Sequence, residues 1–349
     1  MNNIAEKKIS FVKVSDELSD TINNKANELY LLLKNFDAST LPTDDFFKDY
    51  FANHHLGKRL IFSIKSSAHI LYQSIKKTNK PIGSINIVDY GAGLGTLFML
   101  GSLLNVKRLI YNDHLPEWKN NAAIICNSLN IPVTDYITGD IADVIHYADR
   151  TGFKFDIIAS RNVIEHIYDL SAFYKQINTH NASAIVYSTT TANYQNPAAH
   201  LQHILIHKKT EKKYFIAQRR EQIKKIKKDI TEEQLDELVS ITRGRALHDF
   251  TNAVNDYLQK KNIKEVPYLN SNTVDCTNGV WAEHLLAKST YALIIQSAGF
   301  KMEYSAGFWD TNYKSPVANF LAGCLNLFIQ LLGKKGYIIS PFINVVAYN

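Results

Sequence analysis

Three acidic side chains and a glycine turn carry the most specific chemistry in this 349-residue chain. Asp89-Tyr-Gly91-Ala-Gly93-Leu-Gly95 follows an apolar, β-rich run (84–90, SINIVDY) and precedes the apolar stretch TLFMLGSLLN. Glycines at alternate positions suit a strand-to-helix turn in which the backbone takes positive φ or a ligand touches the main chain. The spacing is GxGxG rather than the GxGxxG of dinucleotide folds, and the Lys-Ser/Thr of a phosphate-cradling loop is absent. Asp113 closes the next apolar run, RLIYND, and Asp140 follows a third in TGDIAD. Asp113 can accept both hydroxyls of a ribose, Asp140 an adenine amino group, and Asp89 the ammonium of an amino-acid tail. Together they suit an adenosine with a cationic amino-acid tail and no phosphate. Taken singly, Asp113 or Asp140 also fits an ordinary helix N-cap, and the glycines a tight turn with no ligand.

A second set lies in Ser160-Arg-Asn162-Val-Ile-Glu165-His166. An unperturbed histidine titrates near neutrality, so His166 can serve as a general base with Glu165 orienting it. The alternative is that Glu165-His166 only shape the turn. Tyr194, Asn196 and His200 in TTTANYQNPAAH, and Trp281 and His284 in WAEH, can line an acceptor pocket. The plain reading of each is packing or surface polarity. His200, His203 and His207 recur at three- and four-residue spacing, which puts them on one helix face. Without a neighbouring acid this reads as a polar face, and no metal is expected.

These residues need elements to hold them. Helical periodicity covers 17–36 and 58–76, and residues 1–80 read as a helical extension. Strands are expected at 84–90, 108–112, 133–138, 155–160 and 184–188, alternating with helices at 96–105, 117–129 and 170–179. Such alternation means a parallel sheet with helices on both faces, whose ligand site lies beyond the carboxyl ends of the strands. Residues 195–284 break the pattern as a polar helical insertion, with a capping box at Thr231–Gln234 and a loop at 270–279. The αβ texture returns with a helix at 281–298, a strand at 300–304, an apolar helix at 316–332 and a last strand at 342–347.

In their order and spacing, IVDYGAGLG, IYND, TGDI and FDIIASRNVIEHIYDL resemble the class I S-adenosylmethionine-dependent methyltransferases, as do the late segments LIIQSAGFKMEYSAGFW and PFINVVAY. The resemblance covers roughly 58–190 and 285–349. It implies a Rossmann-like α/β fold with a seven-stranded sheet ordered 3-2-1-4-5-7-6 and strand 7 antiparallel. The methyltransferase domain would be 81–194 and 285–349, with 1–80 as a lid and 195–284 as an acceptor-site cap. It also implies an S-adenosyl-L-methionine site on Asp89, Gly91, Ala92, Gly93, Gly95, Asp113, Asp140, Ile141 and Asn162. Quinone-pathway O-methyltransferases are similar in the strand-four motif, and some hold a divalent ion with Glu-x-x-Glu-His. Here Asn162 stands at the first Glu and removes a charged ligand.

The formal charge is +6, yet residues 207–228 alone carry ten Lys/Arg and two Glu. Five acids and no base follow in 229–238. The isoleucines at 223, 226 and 230 leave the lysines on a solvated face, and no aromatic-interleaved stacking surface accompanies them. A small-molecule acceptor (a metabolite, sugar or lipid-like intermediate, methylated on O or N) is therefore expected over nucleic acid. Transfer to RNA or protein through the basic block is the alternative, and a non-catalytic cofactor-binding partner the second. Three scattered cysteines and an N-terminus without an apolar core point to cytoplasmic residence. The stretch 316–332 is expected as a buried or interfacial helix, giving peripheral membrane contact rather than a span. Acceptor identity, methylated atom and oligomeric state are left open by the sequence.

Overall fold

The computed structural model describes residues 8–266, 272–277 and 282–349. Seven strands form one mixed sheet: β1 (Asn86–Tyr90), β2 (Arg108–Asp113), β3 (Asp135–Thr138), β4 (Ile157–Arg161), β5 (Ile185–Thr190), β8 (Lys301–Ala306) and β9 (Ile343–Tyr348). Their order is β3-β2-β1-β4-β5-β9-β8. The first five are parallel, and β9 runs antiparallel between β5 and β8. This is the expected Rossmann-like arrangement, with β8 and β9 as the sixth and seventh strands of the sheet.

Alternating side chains build a core on each face, because successive strand residues point oppositely. Ile87, Leu109, Ile157 and Ile185 face one way. They pack with Ile22 and Leu29 of α1 (Glu17–Lys34), Ile64 and Leu71 of α3 (Leu60–Thr78), Phe98 of α4 (Thr96–Leu103) and Ile125 of α5 (Pro116–Ser128). Val88, Ile110, Ile158 and Val186 face the other way. There they meet Val144 of α6 (Ile141–Thr151), Phe173 and Ile177 of α7 (Leu170–His180), and Tyr291 and Ile295 of α12 (Lys288–Ser297). The first 80 residues thus complete one layer of the sheet. Between α1 and α3, α2 (Asp45–His55) leans across the carboxyl ends of the strands, its Tyr50 ring 4.7 Å from Trp118.

The insertion comprises α8 (Pro197–Thr210), a π-helical turn at Glu211–Phe215, α9 (Ile216–Ile226), α10 (Glu232–Ile241), α11 (Leu247–Leu258), and a hairpin of β6 (Asn272–Val274) with β7 (Ala282–His284). It has its own small core of Ile223, Leu235, Leu238, Phe250 and Val254. The Thr231–Gln234 capping box opens α10 as expected. The helix expected from 281 begins only at Lys288, because Ala282–His284 pair with β6 instead. Strands of three residues are too short to leave a periodic signal. In the basic block, Arg220 pairs with Glu232 and Asp236, Lys224 with Glu232 at 3.2 Å, and buried Arg219 with Glu211 at 2.7 Å. The acidic stretch after the block therefore neutralises part of it.

Of the two alternatives expected for helix α13 (Pro316–Leu332), the buried one fails. Only Ala322 and Ile329 of its side chains are buried. Asn319 and Asn326 turn inward onto the backbone of Tyr313 and Trp309.

Candidate active site

The order of the sheet reverses between β1 and β4, where the loops leaving the two strands diverge and open a crevice. A cavity of about 1050 Å³ fills it. That is at the upper end of small-ligand sites and leaves room for a cofactor and an acceptor.

One wall is the glycine turn. Gly91 and Gly93 have φ of 66° and 53°, conformations that favour glycine. A Cβ on Gly91 would lie 2.6 Å from Val163 Cγ2. Gly95 sits at the N-cap of α4. Asp113 accepts hydrogen bonds from the Gly93 amide at 3.0 Å and the Leu115 amide at 3.1 Å. A carboxylate has about four acceptor positions, so two are left for a ligand. Asp140 caps α6 by accepting from the Ala142 amide at 2.8 Å, and it also lines the cavity. The N-cap reading and the ligand reading of Asp140 are therefore compatible. Ala92, Ile141 and Asn162 line the cavity too, and Asn162 adopts a left-handed φ of 57°.

Asp89 is the most perturbed group in this wall. It is 2% exposed, and its Oδ2 has no hydrogen-bond partner. Burial raises its pKa to about 8, against the opposing pull of the Arg161 guanidinium. Arg161 lines the same cavity and donates to the backbone oxygen of Ser63 at 3.1 Å and its hydroxyl at 3.0 Å. Burial lowers the Arg161 pKa, and Asp89 works the other way. A carboxyl group short of a donor and a guanidinium thus share one end of the cavity. That pair complements the ammonium and carboxylate of an amino-acid tail.

Arg161 and the helical contribution are not among the residues singled out in the sequence. Tyr50, His54, His55, Arg59, Phe62, Ser63 and Ser66 all line the cavity. His55 Nδ1 lies 3.2 Å from Ser63 Oγ, which is 2.9 Å from Thr96 Oγ1 at the start of α4. Burial and the nearby Arg161 charge push the His55 pKa well below its usual value. The only hint in the sequence was an arginine at the end of an apolar strand.

The opposite wall holds His166, Ile167, Tyr168, Thr191, Trp309, Asp310, Tyr313 and Phe342. Glu165 points away from the cavity into the core, 2% exposed. Burial raises its pKa, while the charge of His166 and a hydrogen bond from Thr190 act to lower it.

Among the described residues, none from 192 to 308 lines the cavity. Tyr194 stacks on His200 with ring centres 4.3 Å apart. Asn196 caps α8 and donates to Ser340 O at 2.9 Å. His284 Nε2 lies 2.8 Å from Ile167 O, and burial lowers its pKa to about 4. Of these, His284 contacts the lining residues Ile167 and Tyr168 from outside the cavity. Trp281 lies outside the described residues. For His203 and His207 the structure supplies the acid that linear spacing did not show, Glu283 of β7.

No family model matches the chain, and no curated protein matches it. Among solved structures it is similar to an S-adenosylmethionine-dependent methyltransferase from Mesorhizobium loti, at 12% identity over 80% of this chain and 98% of that one, with a TM-score of 0.39. Another from Clostridium acetobutylicum has 11% identity over 86% and 98%, with a TM-score of 0.43. The YcgJ protein of Bacillus subtilis has 13% identity over 80% and 97%, with a TM-score of 0.36. Likenesses with TM-scores under 0.5 assign no activity by themselves.

Proposed function

We propose that this chain is an S-adenosylmethionine-dependent methyltransferase acting on a small-molecule acceptor. The observation that carries the reading is the set of complementary groups around one cavity. Asp113 and Asp140 stand at the ends of β2 and β3, with Asp89 and Arg161 at the ends of β1 and β4. Asp113 would take the ribose hydroxyls, Asp140 and Ile141 the adenine edge, and Asp89 with Arg161 the two charges of the amino-acid tail. The unpartnered Asp89 oxygen fits such a group. When bound, S-adenosylmethionine supplies a methyl carbon already activated by its sulfonium.

The chain's own part is alignment, exclusion of water and proton handling. Tyr50, His54 and Trp118 pack together beside the glycine turn, where they would shield that end from water. His166 would receive the acceptor's proton, with Glu165 behind it as a positioning residue. The size of the cavity, with Trp309, Tyr313 and Phe342 on one wall, favours a metabolite or lipid-like acceptor over a macromolecule. The ion pairs within the basic block count against that block as an RNA-binding surface.

A melting curve with S-adenosylhomocysteine tests the cofactor assignment. At 100 times its dissociation constant a ligand stabilises by about 2.7 kcal/mol, a shift of several degrees. An unchanged melting temperature at millimolar ligand would overturn the assignment.

A further inference from the structure

We propose that His203, His207 and Glu283 form a site for a divalent transition metal of the zinc class. His203 and His207 lie one turn apart on α8, and Glu283 reaches them from β7. His203 Nδ1 is 3.0 Å from Glu283 Oε1, and His207 Nε2 is 3.3 Å from Oε2. One ligand atom from each residue lies within 4.8 Å of the others. Bonds of 2.0–2.1 Å in tetrahedral geometry put ligand atoms about 3.3 Å apart, so only a small contraction is needed.

Two features separate this cluster from a polar helix face. His203 has an acceptor on both sides, the Glu283 carboxylate at Nδ1 and the Thr191 carbonyl 3.0 Å from Nε2. A neutral imidazole has one N–H and satisfies only one of them. With Nε2–H donating to Thr191, the Nδ1 lone pair faces the carboxylate, an arrangement that either a proton on Nδ1 or a cation between them relieves. A backbone carbonyl at the other ring nitrogen is also the usual orienting partner of a ligating histidine. In addition, His207 Nε2 is buried without a hydrogen-bond partner although a carboxylate oxygen is close by.

Three protein ligands leave one position open. Next to Glu283, His284 holds the carbonyls of Ile167 and Tyr168, and Thr191 sits behind His203. All three of those residues line the cavity, so the metal would clasp the insertion to the acceptor side.

The test is titration of chelator-treated protein with Co²⁺ and Zn²⁺, independent of methyl transfer. One equivalent of Co²⁺ should give intense visible bands of a four-coordinate site, and Zn²⁺ should displace it and raise the melting temperature. His207→Ala and Glu283→Gln should each lose the bands, and His203→Ala serves if either variant fails to fold. Absence of saturable binding to the wild type, or binding retained by the variants, would overturn the site.

The outer face of α13 carries a second inference: the structure assigns it to the surface of an anionic lipid bilayer. At 3.6 residues per turn, Val317, Phe320, Leu321, Cys324, Leu327, Phe328, Leu331 and Leu332 share an arc of about 140°. Phe320 is 70% exposed and Leu331 72%. The helix contains no charged residue, and Lys314, Lys334 and Lys335 bracket it. An apolar face with lysines at both ends complements acyl chains beneath anionic headgroups. The segment Pro316–Ile338 is long and apolar enough to cross a bilayer. The chain on either side of the helix nevertheless leads back to adjacent strands, where Ala306 pairs with Ile343, which suits a helix lying in the plane better than one crossing it. Asn319 and Asn326 tie it to the 309–313 segment that lines the cavity, which places the docked face beside the acceptor wall.

Flotation of the full chain with vesicles of neutral lipid alone, or with added phosphatidylglycerol, tests this whatever reaction is catalysed. The protein should float with the anionic vesicles, less at high salt, and a Phe320→Ser, Phe328→Ser, Leu331→Ser variant should stay in solution. Failure of the wild type to float would overturn the assignment. So would self-association that the triple variant abolishes without any vesicle binding, since a second copy would then be the occupant.

Discussion

Replacing Asp89 by Asn tests the electrostatics of the tail end most sharply. The carboxyl is buried, shares the cavity with Arg161 and has a pKa of about 8. At pH 7 roughly nine molecules in ten then carry its proton. An ammonium brought to about 4 Å at an effective dielectric near 20 gains about 4 kcal/mol from the ionised form. Ionising the group at pH 7 costs about 1.4 kcal/mol. The remainder of about 2–3 kcal/mol is roughly a 30- to 150-fold gain in affinity. Binding of S-adenosylhomocysteine should therefore release close to one proton at pH 7, and almost none about two pH units above the Asp89 pKa. Calorimetry in buffers of different ionisation enthalpy reads this directly. Asp89→Asn should bind more weakly by about that factor and release no proton through this site. The raised pKa also means that Asp89 destabilises the ligand-free fold as pH rises from the unfolded value, 3.8, through about 8. The Asn variant should lose less stability across that window. A binding heat independent of buffer in the wild type, or equal proton release from both proteins, would refute the reasoning.

Three further outcomes follow from the same geometry. His166→Ala should lower turnover by about 10²- to 10⁴-fold, while calorimetry finds cofactor affinity unchanged. Gly91→Ala combines a φ of 66° with a Cβ 2.6 Å from Val163, and should destabilise by about 1–3 kcal/mol in urea unfolding. His55 is held neutral by burial and by Arg161 and His54, so its folded pKa lies below the unfolded one. Its contribution is present above the unfolded pKa and lost as pH falls below it, at up to about 1.4 kcal/mol per pH unit. His55→Gln should flatten that acid limb in pH-dependent melting.

The glycine-turn wall of the cavity was legible because its signals are local. Glycines at alternate positions and acids at successive strand ends are set by chain connectivity, and the strand order followed from the same alternation. The opposite cases depend on residues far apart in the chain. Arg161 became a candidate only when Ser63 of α3 was found beneath its guanidinium. Glu283 meets His203 across 80 positions, through a hairpin too short to show periodicity. In α13 the sequence shows two asparagines in an apolar run, which reads as a helix softened by polarity. The structure turns those asparagines inward and leaves the apolar arc outside, a distinction that needs the neighbouring loop.

The central claim is methyl transfer from a cofactor held by the glycine turn and its acids. Incubation with S-adenosylmethionine bearing a trideuterated methyl, together with an extract containing metabolites and membrane lipids, tests it most directly by mass spectrometry. Label should appear in a discrete extractable compound with the wild type and be absent with Asp113→Ala. Label confined to the cofactor with the wild type, under conditions where S-adenosylhomocysteine binds, would contradict it.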